Sequence, residues 1–103
     1  MDEFAVERVL LAASLVPCGR VATYGDLGRA AGVGPRQVGA IMREHGSEVA
    51  WWRVVSASGE LPSHLIAQAQ ALWDAEGIVH DDGRVRVRTC RVASDWFREP
   101  DER

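Results

Sequence analysis

The chain has 103 residues, room for one hydrophobic core and no second, and its 47% apolar and 26% charged content is that of a globular domain. No apolar run reaches the roughly 18 residues of a membrane span, and Val9 to Val16 belongs to a first helix led by acids with no basic flank, so neither a membrane anchor nor a signal peptide is expected. The net charge of −3 argues against a generic nucleic-acid binder, so the distribution of charge matters more than its sum.

Phe4, Val6, Val9, Leu10, Ala13 and Val16 recur at helical spacing behind Asp2, a capping residue, and predict a helix over about 3–15 that Pro17 and Gly19 stop. Thr23-Tyr24-Gly25-Asp26 has the Thr-x-x-acid form of a capping box and opens a short helix to Ala31, with Gly32 as its stop. Gly34-Pro35 starts another, with proline in the first turn, running to about His45 and ended by Gly46. Residues 46–51 read as an extended loop and Arg53 to Ser56 as a short β-like segment, with a turn at Ser58-Gly59. Ser63 can cap a helix through Leu65, Ile66, Ala69, Leu72 and Trp73 that closes at Gly77. Ile78-Val79 reads as extended. Asp82-Gly83 marks a tight turn before Val85-Arg86-Val87-Arg88, whose alternation reads as a half-exposed strand. Ser94 to Arg98 fits one helical turn, and Glu99 to Arg103 a frayed end.

From Pro17 to Gly59 five arginines (20, 29, 36, 43 and 53) stand against three acids (26, 44 and 48), whereas from Glu60 onward nine acids outnumber six arginines. There is no lysine, so every cation is a planar, multi-donor guanidinium. Cys18 and Cys90 lie far apart in no metal-ligand spacing and read as free thiols of a reduced, cytoplasmic protein. No metal site and no cofactor is indicated.

Two short helices joined by Gly32-Val33-Gly34 meet the description of a helix-turn-helix over about 23–45. On the second helix Arg36, Gly39, Ala40 and Arg43 share a face, while Val38, Ile41, Met42 and His45 are free to pack inward. Small residues flanked by arginines suit close approach to another surface, and they suit equally a solvated face with a close helix contact. Tyr24, the only tyrosine, reads on its own as an amphipathic core residue.

This helix pair followed by Ala50-Trp51-Trp52-Arg53-Val54 resembles the DNA-binding and active-site region of O6-alkylguanine-DNA alkyltransferases, over roughly residues 3–80. In that family the corresponding motif is Pro-Cys-His-Arg-Val, with cysteine as the alkyl acceptor. Here Trp51 stands at the cysteine, Trp52 at the histidine and Ala50 at the proline. Tryptophan has no ionisable sulfur and cannot accept an alkyl group by thiolate attack. The chain is therefore similar to alkyltransferase-like proteins, which keep the DNA-reading apparatus without the nucleophile. The implied fold is a mostly helical α/β domain of the alkyltransferase C-terminal type, winged-helix-like, with a short β element, a pocket loop over about 46–65 and an extension over about 81–103.

The resemblance also implies roles. The second helix, with Arg36, Gly39, Ala40 and Arg43, would lie in the minor groove of duplex DNA. Arg36 would enter the stack where a nucleotide leaves, and Tyr24 would help rotate that nucleotide out. Tyr24, Trp51, Val54 and His64 would line the pocket for a flipped O6-alkylguanine. Trp52, Arg53 and Glu76, the last at the family's relay glutamate, would support it structurally. Neither indole takes up a proton at neutral pH, so general-base activation is not expected and Glu76 would bond backbone or indole N–H groups instead. Three departures stand out: His45-Gly46 replaces an Asn-Pro turn, Leu61-Pro62-Ser63-His64 replaces a Gly-Tyr loop, and the span from Gly59 to Glu76 is short, which implies an open pocket. The expected function is non-enzymatic recognition of alkylated DNA that flags it for nucleotide excision repair, by a cytoplasmic monomer (nucleoid-associated in a bacterium) without membrane contact. The alternatives are an active alkyltransferase using Cys18 or Cys90, and a helix-turn-helix regulator reading the major groove.

Overall fold

The computed structural model describes residues 2–98. Helix α1 spans Glu3–Ser14, and Asp2 Oδ1 accepts the Phe4 amide at 2.9 Å, satisfying one of the amides a helix start leaves without a partner. It buries Ala5, Val9, Ala12 and Ala13. Phe4, expected on that face, is 69% exposed, because it lies about a quarter turn round the helix from Ala5.

Strand β1 is Ala22–Thr23, and α2, Tyr24–Ala31, follows directly. The capping box forms as the sequence implies: Thr23 Oγ1 accepts the Asp26 amide at 3.1 Å and Asp26 Oδ2 accepts the Thr23 amide at 3.0 Å. Helix α3, Pro35–His45, completes the helix-turn-helix. The crossing depends on Gly28, where a Cβ would meet the Val33 carbonyl oxygen at 2.5 Å.

A strand before α2 has no signature of its own in the sequence. It forms because β1 pairs in parallel with β2, Val54–Val55, in the register Ala22 to Val54 and Thr23 to Val55. Side chains alternate across a strand, and here the alternation divides the interior. Ala22 and Val54 join the core of α1–α3 with Val9, Leu27, Val38 and Ile41. Val21 and Val55 join a second cluster with Ala69, Trp73, Ile78, Val85 and Cys90.

Between α3 and β2 the expected extended loop is instead two 3-10 turns, Gly46–Glu48 and Trp51–Arg53. A further 3-10 turn, Ser63–Leu65, leads into α4, Ile66–Glu76. Ser63 makes no side-chain cap; the Leu65 amide bonds to the Pro62 carbonyl and closes the turn locally. Gly77 ends α4 at φ 73°.

Strands β3 (His80–Asp81) and β4 (Arg84–Val85) form a hairpin around Asp82-Gly83, both at positive φ, as a primed two-residue turn demands. The strand expected over Val85 to Arg88 stops at Val85, and Val87–Cys90 is a helical turn, α5. The turn brings Cys90 back to the interior beside Val85, where the Val21 amide bonds to its carbonyl at 2.9 Å; this tertiary demand overrides the alternating pattern. Ser94 to Arg98 folds as turns, with Trp96 Nε1 donating to the Leu15 carbonyl at 2.9 Å. The frayed end expected over Glu99 to Arg103 lies outside the described residues. Among those described, no helix is long and apolar enough to cross a membrane.

Candidate nucleic-acid interface and its pocket

Helix α3 presents the face the sequence implied. Arg36 and Arg43 are exposed, Gly39 and Ala40 are half-exposed between them, and neither arginine meets a carboxylate within salt-bridge distance among the described residues. Val38 and Ile41 supply the buried face. His45 does not pack inward as expected: it is exposed, its ring 3.6 Å from Glu44 rather than bonded to the pocket loop.

The helix also turns a second stripe toward a cavity. Gly39, Met42, Arg43 and Gly46, spaced by three, four and seven, form one wall of a space of about 230 Å³. Met42 packs against the α1–α3 core as expected and also lines the cavity. Tyr24, Trp51, Val54 and His64 all border the cavity, and Ser47, Leu61, Pro62 and Leu65 complete it. Arg36 and Ala40 lie on the outer face and do not line it. The size is a little below the roughly 300–1,000 Å³ of drug-sized sites. Met42 could have been found from its spacing to Gly39; Leu61, Pro62 and Leu65 carry no local signal.

Burial raises the Tyr24 phenol above its ordinary range, partly offset by the Arg43 cation nearby, so the hydroxyl stays protonated as a donor. A Cβ added at Gly39 would lie 3.8 Å from the Tyr24 ring, an ordinary contact. The fold therefore tolerates a side chain there, and the bare backbone at Gly39 is a property of the surface. His64 is exposed in its 3-10 turn at the cavity rim, and its ring makes no hydrogen bond among the described residues.

The floor is the turn Trp51–Arg53. With about three residues per turn, its side chains diverge in three directions rather than the two of an extended segment. Trp51 faces the cavity. Trp52 packs against the second core cluster, and its indole donates to Glu76 Oε2 at 2.9 Å. Arg53 grips the same carboxylate, Nε to Oε1 at 2.9 Å and Nη2 to Oε2 at 2.7 Å, and its Nη1 donates to the Val16 carbonyl at 3.0 Å. Glu76 Oε1 also accepts the Gly19 amide at 3.0 Å, so this glutamate bonds both an amide and an indole. Burial opposes its ionisation, but the bonds from Arg53, Gly19 and Trp52 outweigh it and hold the carboxyl below its usual range.

A second carboxylate, the buried Asp26, braces the helix pair. Asp26 receives Arg91 through Nε at 3.0 Å and Nη2 at 2.6 Å, and Arg29 at 2.6 Å. Burial again opposes ionisation, and Arg91 and Thr23 more than compensate, so its pKa too is lowered. The segment after α5 is thereby tied to the start of the helix-turn-helix, a contact across 65 residues that no sequence pattern announces.

Cys18 is exposed, Cys90 is buried, and neither lines the cavity. Among the described residues no cluster of His, Cys, Asp and Glu is arranged to hold a metal ion.

The family model described as 6-O-methylguanine DNA methyltransferase, DNA binding domain, matches residues 5–78. A relative from Escherichia coli K12 named DNA base-flipping protein is 36% identical over 93 residues, covering 82% of this chain and 71% of its own, and the Shigella flexneri protein of that name matches equally. Among solved structures, that of S. pombe Atl1 in complex with damaged DNA containing O6-carboxymethylguanine agrees with a TM-score of 0.75 at 25% identity, covering 90% of this chain and 97% of that one. With its helix-turn-helix, its cavity and its Trp51 in place, this chain belongs to the family of the 6-O-methylguanine DNA methyltransferase DNA-binding domain, as an alkyltransferase-like member.

Proposed function

We propose that the protein is a non-enzymatic sensor of alkylated DNA, which binds duplex DNA through α3 in the minor groove and holds a flipped O6-alkylguanine in the cavity over Trp51. The observation that carries this reading is the cavity itself: the Trp51 indole, which by the motif resemblance stands at the nucleophile's position, faces the space, and neither Cys18 nor Cys90 lines it. An indole offers an apolar platform to a base and its alkyl group, and no leaving or accepting chemistry. The names of the relatives, a base-flipping protein and a protein solved with damaged DNA, point the same way. Arg36, exposed near the start of α3 with no carboxylate beside it among the described residues, is placed to fill the gap in the stack. Unstacking and extrusion cost a few kcal/mol, which its insertion and the phosphate contacts offset. Tyr24 borders the cavity as a protonated hydroxyl able to meet the rotated backbone, and His64 stands at the rim where an O6 substituent would emerge.

Because nothing is turned over, residence time is the output, and the bound, bent duplex serves as the signal to nucleotide excision repair. A titration against one duplex carrying a single O6-methylguanine and against its unmodified twin, at matched salt, tests the reading. Preference for the lesion with the methyl group still on the DNA supports it. Equal binding leaves a general DNA-binding or regulatory domain, and methyl mass appearing on Cys18 or Cys90 makes the protein an alkyltransferase.

A further inference from the structure

Among the described residues, Trp51 is the one indole of its cluster without a hydrogen bond. Trp52 Nε1 donates to Glu76 at 2.9 Å and Trp73 Nε1 donates to the Trp52 carbonyl at 2.7 Å, whereas the Trp51 indole has no such partner among the described residues. Its ring meets that of Trp52 edge to face, centroids 5.7 Å apart and planes at 90°. Packing against the second core cluster and the edge-to-face contact with Trp52 together set how Trp51 faces the cavity, and the Trp52 indole is itself held by one carboxylate.

Glu76 gathers four donors: the Gly19 amide, the Trp52 indole, and Nε and Nη2 of Arg53. An ionised carboxylate has acceptor sites for all four, while a carboxamide has one acceptor oxygen and brings donors of its own. The Arg53 guanidinium carbon also lies 5.4 Å from the centre of the Trp52 ring, so that ring is held at its edge by the acid and on its face by the cation. The Glu76 and Arg53 side chains are 11% and 18% exposed, which shelters the pair from water. Among the described residues, no hydrogen bond or ion pair joins Arg36 or Arg43 to this lock.

We propose that Glu76 is a positioning residue for lesion recognition: through Trp52 and Arg53 it sets the angle at which Trp51 meets a flipped base. The role rests on the lesion-sensor reading above and involves no proton transfer. It places discrimination and general DNA affinity on different residues. Arg43 and the rest of the exposed α3 face supply the attraction to phosphates that every duplex shares. The acid–indole–guanidinium lock preorganises the aromatic wall that only a flipped base touches, so less ordering remains to be done on binding.

Glu76→Gln, Trp52→Phe and the double variant, each titrated against the O6-methylguanine duplex and its unmodified twin well below their melting temperatures, test this. Glu76→Gln is expected to lower affinity for the lesion duplex by about tenfold while affinity for the unmodified duplex stays within about twofold. Trp52→Phe, which keeps a ring and loses the N–H, is expected to act in the same direction. In the Trp52→Phe background the further effect of Glu76→Gln should shrink, because the acid acts through that indole; groups of one network are non-additive. Discrimination unchanged in folded Glu76→Gln, equal losses on both duplexes, or additive effects would each overturn the proposal. If Glu76→Gln does not fold, Trp52→Phe decides alone, and wild-type discrimination in that variant overturns it. Failure of the lesion-sensor reading shows separately, as a wild-type protein that binds both duplexes alike.

Discussion

Gly39→Ala separates folding from function on α3. Gly39 sits inside the helix at ordinary helical dihedrals, so glycine there costs conformational entropy that alanine would not. The added Cβ would lie 3.8 and 3.9 Å from two Tyr24 ring carbons, within ordinary van der Waals contact and without displacement. Helix propensity then favours alanine by up to about 1 kcal/mol, and for a domain of this size that raises Tm by roughly 4–8 °C. The same methyl group stands on the cavity wall and on the face between Arg36 and Arg43, where a DNA backbone would come closest. Holding the helix off by a fraction of an ångström weakens every contact in register with it, for an expected loss of about tenfold in duplex affinity, or about 1.4 kcal/mol. Differential scanning fluorimetry and fluorescence anisotropy on one preparation read the two effects. A variant with raised Tm and undiminished DNA affinity would refute the placement of the interface on this face. A lowered Tm would refute the steric reading of Gly39.

Arg36→Ala should leave Tm nearly unchanged, within about 0.5 kcal/mol for an exposed residue with no carboxylate partner, while cutting lesion-duplex affinity at least about tenfold; a fall in stability instead would make it a structural arginine. Gly59→Ala should cost about 3 kcal/mol or more, because Gly59 holds φ 84° and a Cβ would lie 2.1 Å from the Val85 carbonyl oxygen; an unchanged urea midpoint would contradict the close approach of this turn to β4. Asp26 and Glu76 both have lowered folded-state pKa values, so the stability they add is full above the unfolded carboxylate range of about 4 and is lost as pH falls through the folded values. Urea midpoints should hold level from about pH 7 to 5 and drop below about 4. The Asp26→Asn, Glu76→Gln double variant should lose part of that acid slope, and an identical slope would show that other groups carry it.

What the sequence determined by itself are features whose partners lie within a few residues. Thr23 and Asp26 meet across one helical turn, Pro35 needs only its own missing N–H, and Asp82-Gly83 needs only its own dihedrals. These signals locate both helices of the helix-turn-helix and the hairpin turn with no knowledge of the rest of the chain. Family resemblance added the pocket, and Tyr24, Trp51, Val54 and His64 do border one cavity. Tertiary structure alone decided three other things. Strand β1 exists because Val54–Val55, about thirty positions on, lies beside it, and that pairing sends alternate side chains into two different cores. Val85 to Arg88 alternates like a strand but turns into a helix, because Cys90 must reach the interior and bond Val21. Asp26 meets Arg91, and Glu76 meets Gly19, Trp52 and Arg53, across separations of 23 to 65 residues. Such partners leave no periodic trace, since a buried charge needs a donor of the right geometry from whichever segment packing brings near, and only the folded chain chooses that segment.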